Sequence, residues 1–181
     1  MSKLLIDNNW TIFLDRDGVI NHEQHMGYVN TWEEFKFYDG ALEAIKIFAN
    51  RFKYIVIVTN QRGIGRGITK LENLELIHKN MTLEIEKNGG RIDSIYYCGD
   101  LDINSEYRKP KTGMAFSAQK DFPAIEFSKS VMVGNNSSDM EFGNSIGAAT
   151  VLLLTTINEI PAPLTYLTAS YKNLLEFAES L

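Results

Sequence analysis

Two aspartates separated by one residue, Asp15 and Asp17, follow a short apolar segment and are followed in turn by Gly18. Carboxylates at this spacing can point the same way as the chain leaves a strand, and a glycine permits a sharp turn of the backbone. Asp15 could then attack phosphorus as a nucleophile, while Asp17 could protonate a leaving oxygen and later activate a water molecule. The alternative is an ordinary turn after a strand, because aspartate and glycine are common turn residues.

Two other polar clusters could hold a phosphoryl group. Thr59, Asn60 and Gln61 directly follow an apolar segment and offer a hydroxyl, side-chain amides and backbone N–H groups. Lys109 lies in the basic segment 108–111 and could neutralise both a nucleophilic carboxylate and a phosphate. Each cluster also has a simpler interpretation. Residues 59–61 could be polar residues that end a strand, and residues 108–111 could be a solvated basic loop.

The fourth cluster, residues 134–139, could bind a metal ion. Asn135 and Asp139 carry the oxygen ligands that Mg²⁺ prefers. The alternative is that Asn136 or Ser138 caps a helix. Taken together, the four clusters supply a nucleophile, an acid and base, phosphate donors, a cation and metal ligands, and capping residues alone would not be expected to provide that combination.

The four clusters need a scaffold that brings them together, and the rest of the chain predicts one. Short apolar segments alternate with segments of helical periodicity, a pattern typical of a doubly wound parallel α/β sheet. Ligands of such a sheet bind beyond the carboxyl ends of its strands, which is where the clusters fall. Strands are predicted at 10–15, 54–59, 92–98, 130–134 and 149–154. Helices are predicted at 40–52 after an Asp39 N-cap, from a Thr69–Glu72 capping box to 88, from 112 to about 123, at 138–146 and from about Ser170.

Length and composition limit the classes of protein to which the chain can belong. Its 181 residues suit a single domain, 1–181, and the formal net charge of −5 argues against a nucleic-acid partner. No apolar segment approaches the roughly 20 residues of a membrane span, and the N-terminal segment is too short and too polar for a signal peptide. The single cysteine, Cys98, excludes an intramolecular disulfide. We therefore expect a cytoplasmic protein without a membrane partner.

The ordered motifs DRDG, TNQ, RKPKTG and VGNNSSDM resemble the four motifs of the haloacid-dehalogenase-like (HAD) superfamily, over nearly the whole chain. The longer segments DRDGVIN, GYV and VTNQRGIGRG are similar to the branch that contains heptose-bisphosphate and histidinol-phosphate phosphatases. This resemblance implies a Rossmann-like, three-layer α/β/α fold without a large cap domain. It also implies that short loops at about 19–38 and 99–108 shape the pocket for a small phosphorylated substrate.

The resemblance further implies a role for each matching residue. Asp15 is the expected nucleophile of an aspartyl-phosphate mechanism, and Asp17 is the expected general acid and base. Mg²⁺ is expected on the Asp15 carboxylate, the Asp17 backbone carbonyl and Asn135, with Asp139 assisting directly or through water. Lys109 is expected to balance the charge of the phosphoryl group. Phosphate and substrate contacts are expected from Thr59, Asn60, Gln61, Arg66 and Arg108.

Two features of the chain depart from the family pattern. The family has an aspartate where this chain has Asn135, which keeps a carbonyl oxygen but lacks the negative charge, so weaker Mg²⁺ binding is expected. In its extreme form this substitution would give a weakly active or non-catalytic phosphate-binding module. Related phosphatases often carry a zinc loop before the third motif, but segment 96–107 contains Cys98 as its only cysteine and no histidine. We expect no structural zinc, which normally needs four such ligands.

The residues also favour one class of substrate. Arg62 and Arg66, in the loop after the second motif, could hold a second phosphate. These arginines could equally be solvated surface charges. Together with the resemblance of the GYV, TNQRGIGRG and RKPKTG segments, they make a sugar bisphosphate such as D-glycero-D-manno-heptose 1,7-bisphosphate the leading substrate hypothesis, with histidinol phosphate as the alternative. Nothing in the sequence defines the oligomeric state, for which a monomer is the default expectation.

Overall fold

Six short strands form a single sheet in the computed structural model, which describes residues 6–24, 27–157, 159–160 and 166–181. The strands are β1 (Thr11–Leu14), β2 (Tyr54–Asn60), β3 (Ser94–Cys98), β4 (Ser130–Gly134), β5 (Ala149–Leu153) and β6 (Ala169–Tyr171). They lie in the order β3-β2-β1-β4-β5-β6, and every neighbouring pair is parallel. The direction of winding reverses between β1 and β4, so the carboxyl ends of these two strands flank a crevice.

The described residues form six α-helices, five of which cover the two faces of the sheet. They are α1 (Ala41–Arg51), α2 (Arg62–Gly65), α3 (Leu71–Lys87), α4 (Gly113–Asp121), α5 (Ser137–Ser145) and α6 (Leu174–Glu179). Helices α1, α3 and α6 pack on one face, and α4 and α5 pack on the other. Within the described ranges, no helix is both long and apolar enough to cross a membrane. The predicted three-layer α/β/α sandwich is confirmed.

Strand β1 shows why the strands are apolar along their whole length. Ile12 and Leu14 enter the core under α1 and α6, whereas Phe13 points to the opposite core and packs against Phe142 of α5. Because successive side chains of a strand alternate between the two faces, a strand covered on both sides needs an apolar residue at every position. The continuous apolar segments of the sequence therefore mark the central strands, and their carboxyl ends fix where the polar motifs lie.

Two predicted helix caps are wrong. Helix α1 is preceded by Gly40, with φ 78°, so Asp39 lies one residue too early to cap it. Helix α3 begins after Lys70, and the Thr69 hydroxyl instead donates a hydrogen bond to Asn30 Oδ1 at 2.7 Å. The Thr69 side chain thus joins the loop before α3 to Asn30, in the loop at 19–38. No side-chain hydrogen bond caps the helix.

Two predictions of local structure are also corrected. Ser170, expected to begin the last helix, lies in the edge strand β6, and α6 starts after Asn173, whose side chain accepts from the Glu176 N–H at 2.9 Å. A three-residue strand is too short to give a periodic signal. The segment after the second motif, interpreted above as a loop, begins with the single-turn helix α2.

The first flap, which is the described part of the loop at 19–38, folds back against residues 15–18, here called the catalytic loop. Asn21 forms isolated bridges with Asp17 and Phe37 and so joins the start of the flap to its end. The flap aromatics pack on one another, with ring centroids 5.0 Å apart for Phe35 and Phe37, and Phe35 is buried in the core. These aromatic rings therefore anchor the flap to the body of the protein.

Candidate active site

The four polar motifs meet at the carboxyl edge of the sheet. Asp15 directly follows β1, and its N–H donates to the carbonyl of Val133 in β4 at 3.0 Å, which extends the pairing of these strands to the nucleophile position. Thr59 and Asn60 end β2, and Asn135 follows β4. The motifs enclose a small cavity of about 160 Å³. It is lined by Asp15, Asp17, Glu23, Thr59, Asn60, Lys109, Asn135, Asn136, Ser138 and Asp139.

Lys109 is buried and joins two of the motifs. Its Nζ lies 2.9 Å from Asp15 Oδ1 and 2.7 Å from Asp139 Oδ1. Burial disfavours the charged amine, but the carboxylates of Asp139 and Asp15 outweigh it and raise the pKa of Lys109. Burial also raises the pKa of Asp15 to about 7, although Lys109 opposes that rise. The lysine is therefore a fixed positive charge beside the proposed nucleophile.

Asn60 holds this lysine in place. Its Oδ1 accepts from the Lys109 N–H at 3.0 Å, and its Nδ2 donates to the Lys109 carbonyl at 3.1 Å. Because both ends of the amide are used in this way, Asn60 fixes the backbone of the loop that carries Lys109. Thr59 lies one residue before it, at the wall of the same cavity, and its hydroxyl oxygen accepts from Gln61 Nε2 at 2.9 Å.

Asp17 is surrounded by hydrogen-bond donors. Arg16 Nη2 lies 2.8 and 2.9 Å from its two carboxylate oxygens, and Asn21 Nδ2 and Gln61 Nε2 each donate to it at 2.8 Å. Burial alone would raise the pKa of Asp17, but the guanidinium of Arg16 and these donors lower it. In this structure Asp17 is therefore an ionised carboxylate in a fixed orientation, able to accept a proton.

The side chain of Gln61 contacts protein groups of the site. The sequence predicts that it binds phosphate, but its side-chain nitrogen donates to Asp17 and to Thr59, and the residue is buried. Its amide is thus engaged with protein groups, and the geometry indicates that Gln61 orients Asp17.

Asp139, which is predicted to assist in metal binding, contacts protein groups through both carboxylate oxygens. Its Oδ2 accepts from the backbone N–H groups of Asn135 and Asn136 at 3.2 and 3.1 Å, while its Oδ1 contacts Lys109. Asn136 accepts in turn from the Ser138 N–H, so Asn136 and Asp139 form a capping box at the start of α5. Both oxygens of Asp139 are therefore engaged in capping α5 and in holding Lys109.

Asn135 lies against the catalytic loop with its amide in a defined contact. Its Nδ2 donates to Thr156 Oγ1 at 2.9 Å, and the residue is only 5% exposed. Gly18, at φ 82°, leaves room for this amide, because a Cβ there would collide with it. Thr155 Oγ1 donates to the Gly18 carbonyl, so the segment after β5 holds both Gly18 and Asn135.

The residues fit the chemistry of a magnesium site. The Asp15 carboxylate and the Asn135 amide line the same cavity as Asp17. With the Asp17 backbone carbonyl they could provide an all-oxygen ligand set. Magnesium is bound by few protein oxygens and keeps several waters. In the described ranges, no three His, Cys, Asp or Glu side chains form a metal-binding group. Of the three ligands in this set only the Asp15 carboxylate is charged, so the set carries one negative charge.

Arg66 and Arg108, the arginines that were predicted to contact substrate, do not line the cavity. Arg108 is half-buried, and its Nη1 lies 3.4 Å from the Asp100 carbonyl. Burial lowers the pKa of Arg108, and the nearby cation of Arg62 lowers it further. Arg66 is exposed, and its guanidinium carbon lies 5.9 Å from the ring centroid of Tyr28. Arg62 and Arg108 thus form a pair of neighbouring cations, whereas Arg66 is exposed beside Tyr28.

A larger groove of about 730 Å³ lies along α1. It is bordered by Tyr38, Glu43, Lys46 and Asn50, among others, and no predicted site residue lines it. Groove size alone does not identify a catalytic site, and the convergent polar groups favour the smaller cavity.

Two residues of the site were missed by reasoning from the sequence. Arg16 lies between the two aspartates and is fully buried, and its Nη1 lies 3.1 Å from His78 Nε2 on α3. The apolar residues of α3 are buried at 74, 77, 81 and 85, and His78 follows one of them. That position on the helix predicts a half-buried face, but the sequence does not identify Arg16 as the partner 62 residues away.

Comparison with known proteins places the chain in a family. The family model described as polynucleotide kinase 3 phosphatase matches residues 11–153. The chain is 38% identical over 143 residues to a D-glycero-alpha-D-manno-heptose-1,7-bisphosphate 7-phosphatase of Campylobacter jejuni, covering 79% of this chain and 81% of that protein. It is also 38% identical over 153 residues to a D-glycero-beta-D-manno-heptose-1,7-bisphosphate 7-phosphatase of Vibrio cholerae, with coverage of 80% and 81%.

Similarity of structure agrees with similarity of sequence. The D,D-heptose 1,7-bisphosphate phosphatase of B. bronchiseptica, solved in complex with magnesium and phosphate, matches with a TM-score of 0.83 and 28% identity. The match covers 94% of this chain and 96% of that one. The homologous enzyme from Burkholderia thailandensis matches with a TM-score of 0.66 and 26% identity, over 94% and 96% of the two chains. The chain therefore belongs to the haloacid-dehalogenase-like phosphatases, in the family described as polynucleotide kinase 3 phosphatase.

Proposed function

We propose that the protein is a Mg²⁺-dependent phosphomonoesterase that hydrolyses a small sugar bisphosphate of the heptose 1,7-bisphosphate type. The observation that carries this proposal is the contact of Lys109 with Asp15 and Asp139, at a cavity that Thr59 and Asn135 also line. The arrangement brings a carboxylate nucleophile and a buried cation together, and phosphoryl transfer depends mainly on such positioning and charge stabilisation. The relatives that hydrolyse heptose bisphosphates supply the substrate class.

In the first step Asp15 attacks phosphorus and forms an aspartyl-phosphate. Lys109 Nζ, 2.9 Å from Asp15, stabilises the negative charge that gathers on the transferring oxygens. Asp15, the Asp17 carbonyl and Asn135 would hold Mg²⁺, which supplies further positive charge against the phosphoryl group. Thr59, at the cavity wall, is placed to donate a hydrogen bond to the same group.

Asp17 moves the protons in both steps. As a carboxylate it accepts a proton from the water that hydrolyses the aspartyl-phosphate. To act first as an acid it must carry a proton, although its donors favour the charged form. The negative charge of a bound phosphate raises the pKa of a neighbouring carboxyl, so substrate binding itself favours protonation of Asp17 before the leaving oxygen departs.

Arg62 and Arg108 support a substrate with two phosphates. The two cations are close enough for Arg62 to lower the pKa of Arg108, and among the described residues neither forms an ion pair with a carboxylate. Neighbouring cations without a counter-ion are costly unless an anion binds between them. We assign them to the phosphate that is not cleaved, with Arg66 at the edge of that site.

The test is magnesium-dependent phosphate release from heptose 1,7-bisphosphate and from histidinol phosphate. We expect turnover of the bisphosphate to exceed that of histidinol phosphate, and Asp15→Asn to abolish both. Because relatives of both anomer types are similar to this chain, each anomer should be assayed separately. Equal trace release by the native protein and Asp15→Asn would support a non-catalytic phosphate-binding module.

Partner and location complete the proposal. We propose a cytoplasmic monomer with no nucleic-acid substrate, because the net charge is −5 and Cys98 is a free, buried thiol suited to a reducing compartment. Sedimentation velocity tests the oligomeric state. Rapid phosphate release from a 3′-phosphorylated oligonucleotide would contradict the choice of substrate while leaving the reaction class intact.

A further inference from the structure

His78 contacts the catalytic loop but does not line the substrate cavity. It lies on α3, and its Nε2 is 3.1 Å from Nη1 of Arg16. A guanidinium can only donate hydrogen bonds, so His78 Nε2 must be the acceptor and the ring hydrogen must be on Nδ1. Burial and the positive charge of Arg16 together lower the pKa of His78 to about 3. The ring is therefore neutral and remains an acceptor throughout the pH range of an ordinary assay.

Arg16 transmits this contact to Asp17. The side chain of Arg16 is fully buried, and Nη2 donates to both carboxylate oxygens of Asp17 while lying 3.4 Å from Gln61 Oε1. Its Nε is buried without a hydrogen-bond partner among the described residues. The guanidinium is thus fixed by its two Nη atoms alone, one facing His78 and the other facing Asp17.

Loss of the His78 acceptor would release one of these two attachments. A buried donor without a partner costs free energy, so the guanidinium would turn to find another acceptor. Asp17 would then lose the donor that contacts both of its oxygens, and its carboxylate would no longer be held in one orientation. The buried face of α3 consists of Leu74, Ile77, Met81 and Ile85, so the packing of the helix does not depend on the His78 acceptor.

We propose that His78 is a positioning residue for proton transfer: through Arg16 it holds Asp17 in the orientation needed to protonate the leaving group. The inference rests on the acid and base role of Asp17 in the proposed function. It goes beyond that function by assigning a role to a histidine on α3 that contacts neither substrate nor phosphate in the proposed mechanism.

The test compares leaving groups that differ in their need for a proton. Heptose bisphosphate releases a sugar hydroxyl, which needs protonation, whereas 4-nitrophenyl phosphate releases a stable phenolate, which needs little. The rate of leaving-group release in the first turnover isolates the step in which Asp17 acts as an acid. We expect His78→Leu to lower that rate about tenfold for the sugar phosphate, less than the roughly 10²–10⁴-fold contribution of a general acid itself because Asp17 remains present. The rate should fall far less for the nitrophenyl ester.

Matched variants separate positioning from folding. His78→Gln carries an acceptor oxygen and should recover most of the sugar-phosphate rate, whereas His78→Met lacks a comparable acceptor and should behave as His78→Leu does. Lys79→Gln, on the exposed side of the same helix, is the control for substitution in α3. Unfolding temperatures of all variants show whether each is folded, and His78→Met replaces His78→Leu if the latter is not.

Each outcome of the test is informative. An equal loss for both leaving groups, or no loss in either variant without an acceptor, would overturn the positioning role while leaving the phosphatase intact. Failure of His78→Gln to recover the rate would overturn it as well. If the native protein released phosphate from neither substrate, the proposed function would fail and this inference with it, so the two failures are distinguishable.

Discussion

The side chain of Asn60 and the backbone of Lys109 exchange two hydrogen bonds, of 3.0 and 3.1 Å. They join the end of β2 to the loop that carries the buried cation of the site. In the proposed mechanism, Asn60 therefore influences the phosphoryl group through the position of Lys109.

Replacement of Asn60 by alanine tests this relationship. Without the paired hydrogen bonds the loop that carries Lys109 gains freedom, and the Nζ spends less time beside Asp15. We expect kcat to fall by roughly 10²-fold, the loss typical when one preorganised electrostatic contact is removed from a site. Asn60→Gln has the same groups on a longer chain and should not restore the rate. Each tenfold change in rate corresponds to about 1.4 kcal/mol of activation free energy. A value of kcat within about twofold of the native one would therefore be too small a change and would contradict the positioning role.

The buried ion pairs of Lys109 predict a second result, in which stability and activity separate. Lys109→Met leaves the carboxylates of Asp15 and Asp139 without their cation, and such a loss destabilises a protein by roughly 3–5 kcal/mol. Adding Asp139→Asn removes one of the two charges, so the double variant should recover part of the free energy of unfolding. It should remain inactive, because Asp15 still lacks the cation. Urea unfolding of the native protein, Lys109→Met, Asp139→Asn and the double variant gives the coupling energy between Lys109 and Asp139. Additive effects of the two substitutions would contradict a direct ion pair.

The positions of the four motifs could be predicted because parallel strands place their carboxyl ends at one edge of the sheet. Thr59 lies at the end of a strand, and Asp15 and Asn135 each directly follow one. Their positions in the sequence are therefore enough to predict that they lie close together. The capping role of Asp139 was within reach as well, since Asn136 and Asp139 have the spacing of a capping box. The sequence alone does not decide between this capping role and the predicted metal contact, because a carboxylate can serve either one.

Other features of the site could not be predicted, because they depend on side-chain packing across long separations in the sequence. Arg16 would ordinarily be solvated, and only the folded structure shows that it is buried against Asp17 and His78. The choice of Gln61 between phosphate and Asp17 depends on its side-chain conformation. The three residues of β6 carry too little periodicity to distinguish a strand from the start of a helix.

The replacement of the family aspartate by Asn135 predicts a change in metal affinity. Asn135→Asp would add a negative charge to the oxygen ligands, and Mg²⁺ binding tightens with the charge of its ligands, here by about tenfold. Thr156 can accept this change, because its hydroxyl can donate to a carboxylate where it now accepts from the amide. Calorimetric titration of the native and variant proteins with MgCl₂ measures the affinity without reference to activity. Equal dissociation constants would indicate that Asn135 is not a ligand.

The neutral state of His78 predicts a pH dependence of stability. Its pKa is about 3 in the folded protein, with burial as the largest cause, against an ordinary value of 6.5. Between these values the unfolded chain binds more protons than the folded one, so stability is fully present above pH 6.5 and is lost as the pH falls below it. From pH 7 to pH 5 the native protein should lose up to about 2 kcal/mol that His78→Gln does not lose. Urea unfolding at both pH values measures the difference, and parallel losses in the two proteins would contradict the shifted pKa.

The pair of cations formed by Arg62 and Arg108 predicts selectivity for a second phosphate. Arg108→Ala should raise KM for heptose 1,7-bisphosphate by about tenfold or more, because a hydrogen bond to a charged group contributes about 1.5–3 kcal/mol. KM for heptose 7-phosphate should change little, since that substrate lacks the second phosphate. Arg62→Ala should have the same selective effect, whereas Arg66→Ala should have a weaker one, because Arg66 is exposed beside Tyr28. Steady-state kinetics of the three variants on both substrates measures these effects, and an equal rise in KM for the two substrates would place the arginines at the cleaved phosphate instead.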